Sequence, residues 1–164
     1  MLLFLKNLLF TLIVPGAVAV YVPLRLAPWR GELPPPGWGF VQSAALLPLA
    51  AGSAVYLWCV WDFAAFGRGT PAPVDAPRRL VLRGLYRYVR NPMYVGVLLV
   101  IAGWALLFRS PRVVGYGAVV ALFFHLFVVV VEEPTLRGKF GRSYERYCKE
   151  VGRWAPRAGR GRAA

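Results

Sequence analysis

The sequence predicts an all-α fold: an integral membrane bundle of about four transmembrane helices with a C-terminal amphipathic helix at the membrane interface. Three observations carry this reading. Hydrophobic residues make up 58% of the 164 and charged residues only 16%, against roughly 25% charged in an ordinary soluble domain. Four stretches run without a charge: Asn7–Leu24, Leu33–Trp61, Asn91–Phe108 and Val113–Val131. Each holds about 18 residues or more, roughly 27 Å of helix against a hydrocarbon core of about 30 Å. A soluble protein of this length buries one such helix, not four. Finally, the net charge of +13 is unevenly placed: of the 20 basic residues, six lie between the second and third stretches and nine after the fourth. Basic segments stay cytoplasmic. The N-terminus, the middle loop and the C-terminal segment are therefore expected inside, with two short turns outside, as an even number of spans requires.

The same distribution bears on partners. A surplus of Lys and Arg beside the spans suits an anionic lipid surface, at about 1 kcal/mol per residue close to it, and no nucleic-acid partner is expected. Cys59 and Cys148 have no paired or metal-ligand spacing, and there is one histidine, so no metal site is expected.

Along the chain, a single domain over 1–164 is expected, with spans at about 5–24, 38–62, 92–108 and 112–132. The first span lacks a small-residue cleavage site and is followed by others, so it reads as an anchor rather than a removed signal. Pro15 and Gly16 are expected to kink it. The turn APWRGELPPPGWG is irregular by composition, and Trp29 and Trp38 flank it as interfacial aromatics do. Span two carries Pro48 and Gly52 and ends in YLWCVWDF, a second aromatic belt, with Asp62 where the helix leaves the lipid. Loop 63–91 is extended through Pro71, Pro73 and Pro77. From about Arg79 to Arg90 it mixes Leu80, Leu82, Leu85, Tyr86 and Val89 with arginines, a pattern that lies along a membrane surface and is partly helical.

Asn91-Pro92 opens span three as an N-cap and a first-turn proline. Such a start leaves backbone N–H groups facing the inner surface, where a carboxylate can bind. Gly96 and Gly103, seven apart, share a face and permit close helix packing. Span four ends in VVVVEEP, and Pro134 is read as a break. A new helix from Thr135 places Phe140, Tyr144, Tyr147, Cys148 and Val151 on one face and Arg142, Arg146, Lys149 and Arg153 on the other. It either tethers the segment 134–157 to the interface or covers a site at the inner mouth of the bundle. Residues 158–164 are read as disordered.

Glu132 and Glu133 ask for an explanation. Carboxylates at a helix C-terminus oppose the macrodipole, and two of them near lipid are costly. Local arginines or a cationic ligand must compensate. His125, seven residues earlier, falls on nearly the same helical face. It either lines a cavity with Glu132 or bonds to a neighbouring helix in the bundle interior.

The blocks Gly84-x-Tyr86-x-x-x-Arg90-Asn91-Pro92-x-Tyr94-x-Gly96, then Glu132-Glu133-x-x-Leu136, then Phe140-Gly141-x-x-Tyr144-x-x-Tyr147 occur in that order. Over roughly residues 67 to 157 the chain resembles the membrane methyltransferases that include isoprenylcysteine carboxyl methyltransferase and the phospholipid methyltransferases. The resemblance implies a methyltransferase using S-adenosylmethionine, its site at the cytoplasmic ends of the last helices under the C-terminal segment. It implies cofactor contacts from Arg78, Arg79, Leu80, Val81, Tyr86, Asn91, Pro92, Met93, Tyr94 and Glu132. The acceptor would be a membrane lipid or lipid-soluble molecule. Glu133 and His125 are the candidate bases should the acceptor need to lose a proton. Asn91 stands where isoprenylcysteine enzymes carry His, and Val128 where they carry a substrate-binding arginine, so a prenylcysteine acceptor is disfavoured. Two other classes are weighed: a nicotinamide-dependent membrane reductase, since the C-terminal part of the membrane sterol reductases resembles this fold, and a non-catalytic lipid-binding membrane protein.

Overall fold

The computed structural model describes residues 14–27, 37–62, 65 and 82–157. Among them the chain is helical, with one isolated parallel bridge between Val89 and Gly152. The helices are α1 (Val14–Leu26), α2 (Phe40–Asp62), α3 (Pro92–Leu107), α4 (Pro111–Phe140) and α5 (Arg142–Glu150). A short 3-10 turn, Gly84–Arg87, precedes α3. Two of these helices, α2 and α4, are long and apolar enough to cross a membrane. The expected turn 28–36, most of the loop 63–81 and the tail 158–164 lie outside the described residues.

Helices that are apolar all round cannot sort themselves by hydrophobic burial in lipid, so close packing decides which faces meet. Glycine supplies it here. A Cβ on Gly52 would stand 2.6 Å from the Gly96 carbonyl oxygen, and one on Gly96 would stand 2.9 Å from the Gly52 carbonyl oxygen. Gly103 meets the Leu49 side chain in the same way. Gly96 and Gly103 therefore do share the face on which α3 packs against α2. Ile101, Val100 and Ala105 of α3, Val113 and Val120 of α4 and Tyr56 of α2 fill the core around this crossing. The Tyr116 hydroxyl ties α4 to α1 by donating to the Val18 carbonyl at 2.8 Å.

The helix starts follow sequence chemistry. Asn91 occupies the N-cap of α3 with Pro92 first in the helix. Ser110 caps α4 before Pro111, its hydroxyl accepting from the Val113 N–H. The part of the middle loop expected to be partly helical forms, in its described portion, only the single turn Gly84–Arg87. Gly84 has φ of +54° and lies directly against Asp62, a conformation and an approach that a side chain would obstruct.

Two expectations are corrected at the end of α4. Pro134 does not break the helix, which runs on to Phe140. The break falls at Gly141, with φ of +51°. The physical reason is a π segment, Val128–Glu132, in which the Glu133 N–H reaches back to the Val128 carbonyl. The wider turn makes room where the proline ring would clash with the carbonyl four residues earlier, and the Thr135 hydroxyl donates to the Val131 carbonyl at 2.7 Å. In α1 the same device precedes Pro23, with a π segment over Ala17–Tyr21. The expected continuous amphipathic helix from Thr135 is therefore two helices. Its apolar residues still meet: Phe140, Tyr144, Tyr147, Cys148 and Val151 pack together with Leu136.

Candidate active site

Helix α3 begins at the same end of the molecule at which α4 leaves its apolar run, and a chamber of about 250 Å³ opens there. Tyr86, Arg90, Asn91, Met93 and Tyr94 line it from the turn and start of α3, and Glu132 from the π segment of α4. Aromatic rings of Tyr56, Phe123, Phe124 and Phe127 and the α1 residues Val14, Pro15 and Val18 complete the wall.

Its polar centre is one hydrogen bond. The Tyr94 hydroxyl donates to Glu132 Oε2 at 3.0 Å, and the Tyr94 ring lies 4.6 Å from that of Phe124. The two adjacent glutamates have different fates because neighbouring residues on a helix point in different directions. Glu132 faces the chamber. Glu133, nearly inaccessible, is held by cations: Arg153 through two bonds at 2.6 and 3.0 Å, Arg90 at 3.2 Å and Arg137 at 3.7 Å. The local arginines thus compensate one carboxylate and leave the other with a phenol as its partner.

A strap of residues 151–154 is fastened to the start of α3 beside the chamber. The Arg90 N–H donates to the Gly152 carbonyl at 2.9 Å, and the Asn91 amide donates to the Arg153 carbonyl at 3.2 Å. Asn91 spends its side chain on this strap, not on capping α3. Behind it, the Tyr147 hydroxyl donates to the Tyr86 carbonyl at 2.7 Å. Burial pushes the phenols of Tyr86 and Tyr147 above their ordinary range, so both stay neutral hydrogen-bonding groups. Hydrogen bonding to Glu133 raises the Arg153 guanidinium further.

Of the residues expected at the site, Tyr86, Asn91, Met93, Tyr94 and Glu132 line this chamber. Pro92 is buried as the first residue of α3 and does not line it. Arg78, Arg79, Leu80 and Val81 lie outside the described residues. His125 does not line the chamber with Glu132. His125 instead meets the strap, accepting at Nδ1 from Trp154 Nε1 at 3.1 Å. Sequence reasoning missed Arg90 and Arg153 as the partners of Glu133. Arg90 sits inside the ordered block Arg90-Asn91-Pro92, which was the available signal. Arg153 carries no local signal, since the turn at Gly141 decides where it lands.

The donor set suits a cationic nucleoside such as S-adenosylmethionine. It combines one carboxylate with aromatic faces for a sulfonium or an adenine, beside a helix start whose first N–H groups lack intrahelical partners.

The family model described as phospholipid methyltransferase matches residues 41–143, more than half of the chain, which takes in α3, α4 and all but the first residue of α2. No curated protein and no solved structure matches the chain.

Proposed function

Because this chain belongs to the phospholipid methyltransferase family, and is thus a membrane methyltransferase for a lipid-type substrate, we propose that it uses S-adenosylmethionine in the chamber between α3 and α4, at the cytoplasmic face. The observation that carries the proposal is the Tyr94–Glu132 pair at 3.0 Å inside an aromatic-walled hollow.

When bound, S-adenosylmethionine supplies an electrophilic methyl group on a sulfonium. The residues provide the rest. Glu132, its orientation fixed by Tyr94, offers a carboxylate to an ammonium group. The first turn of α3, with Met93 and Tyr94, offers backbone N–H groups to a carboxylate. Tyr56, Tyr86 and Phe124 exclude water and present ring faces to positive charge. Little acid–base assistance is required, so alignment and a dry environment supply most of the acceleration. Glu133, clamped by three guanidinium groups, acts in this reading as the anchor of Arg90 and Arg153 and not as a base.

The topology proposed with this function has four spans, α1 to α4, with both termini cytoplasmic. Arg83, Arg87 and Arg90 before α3 and Arg137, Lys139, Arg142, Arg146 and Lys149 after the π segment support it, since the chamber then opens at the basic end.

The test is cofactor binding by isothermal titration. Glu132→Gln keeps the shape and removes the charge. Loss of a charge-assisted hydrogen bond, about 1.5–3 kcal/mol, weakens S-adenosylmethionine binding roughly tenfold or more. An unchanged affinity would reject Glu132 as the ammonium partner.

A further inference from the structure

A second hollow lies on the other side of Tyr94. Val95, Leu98 and Leu99 of α3, Ala121 and His125 of α4 and Trp154 of the strap line it. Its polar end is defined by one bond: Trp154 Nε1 donates to His125 Nδ1 at 3.1 Å. An indole nitrogen only donates, so His125 Nδ1 must present its lone pair. The neutral ring then carries its proton on Nε2. Nε2 has no hydrogen-bond partner among the described residues.

That proton is badly placed for a merely structural histidine. His125 is exposed, on a helix whose outward residues are Leu122, Phe123, Leu126 and Val129. Against acyl chains an N–H without an acceptor is costly. The hollow contains no carboxylate, so it offers nothing to a cation. It offers one donor, at the end of an aliphatic trough. It also adjoins the chamber: the Tyr94 ring is 4.6 Å from that of Phe124, which lines the chamber, and 6.4 Å from that of Trp154, which lines the trough.

We propose that this trough seats the lipid acceptor. His125 Nε2–H donates to an oxygen of the phosphoester region, and the adjoining acyl segment lies along Val95, Leu98, Leu99 and Ala121. Trp154 is then a positioning residue, holding the imidazole in the tautomer that donates. Calling the lipid an acceptor rests on the methyl-transfer reading above; the binding site itself does not.

The experiment uses the full chain in detergent micelles and a phosphatidylethanolamine brominated on its acyl chains, whose bromines quench nearby indoles. Trp154 is isolated by subtracting the signal of Trp154→Phe. Saturable quenching of Trp154 is expected. His125→Leu is expected to weaken it roughly three- to tenfold, the worth of one hydrogen bond. His125→Gln, which keeps an N–H donor, is expected to restore it. S-adenosylmethionine affinity is expected to stay at the wild-type value in both variants, which separates a lost lipid contact from a lost fold. Identical quenching curves for wild type and His125→Leu would overturn the proposal, as would a Gln variant behaving like Leu. Competition by inorganic phosphate would replace the lipid with a free anion as occupant and also overturn it. Failure of the wild type to bind S-adenosylmethionine would remove the methyl-transfer reading while leaving the lipid seat in place.

Discussion

Tyr147 shows how much one hydroxyl does here. Its bond to the Tyr86 carbonyl joins α5 to the turn that carries a chamber wall. Replacement by Phe removes a buried hydrogen bond and is expected to cost about 1 kcal/mol at pH 7. The pH dependence follows from the raised phenol. The folded state favours the neutral form, so this contribution is complete below the unfolded value of about 10 and declines as pH rises beyond it. Thermal unfolding at pH 7 and at stepwise higher pH should therefore show the gap between wild type and Tyr147→Phe narrowing above about pH 10. A gap that widens there would contradict the assignment. At this scale the sequence was informative where chemistry is local. The ordered blocks containing Tyr94 and Glu132 identified both residues of the central hydrogen bond. The partition between Glu132 and Glu133 was not legible, because it depends on where Arg90 and Arg153, distant in sequence, come to lie.

Among the helices, α3 illustrates what spacing can and cannot tell. Gly96 and Gly103 are seven apart, and that was enough to place them on one face. It could not say that Gly52 would be their partner. Since the two nearest atoms that a Gly96 Cβ would meet belong to backbone, the Gly52 oxygen at 2.9 Å and the Tyr56 nitrogen at 3.0 Å, they cannot swing aside. Gly96→Ala should destabilise the protein by about 2–3 kcal/mol, as overpacking does. Gly115→Ala is the control: nothing lies within 4 Å of its Cβ, and helix propensity favours Ala by about 1 kcal/mol. Unfolding in mixed micelles should move the two variants in opposite directions, and equal shifts would refute this account of the α2–α3 crossing. Proline misled for a physical reason. Pro134 was read as an end because a regular helix cannot hold it, yet a helix that widens one turn earlier can. Pro23 follows a π segment at the same distance as Pro134, so a proline two residues past an apolar run does not by itself end a helix.

Across the whole molecule, charge was the most readable quantity, because it needs no packing detail. Basic residues crowd around the chamber end, whereas Arg109 and Arg112 mark the opposite end of α3 and α4. The proposed orientation is tested by single cysteines at exposed positions in a chain lacking Cys59 and Cys148. A membrane-impermeant maleimide applied to intact cells should label Arg112→Cys and spare Arg146→Cys, with the reverse in inverted vesicles. Labelling of both from one side would rule out the crossing by α4. What charge could not convey was the fastening of the C-terminal strap to the start of α3. Val89 pairs with Gly152, and Arg90 and Asn91 are fastened to residues 152 and 153. Every residue that lines the chamber precedes this strap in the order of synthesis. A nascent chain can therefore carry every chamber-lining residue before the strap exists, and a ribosome stalling before Val151 would leave Arg90 and Asn91 without the backbone oxygens that fasten them.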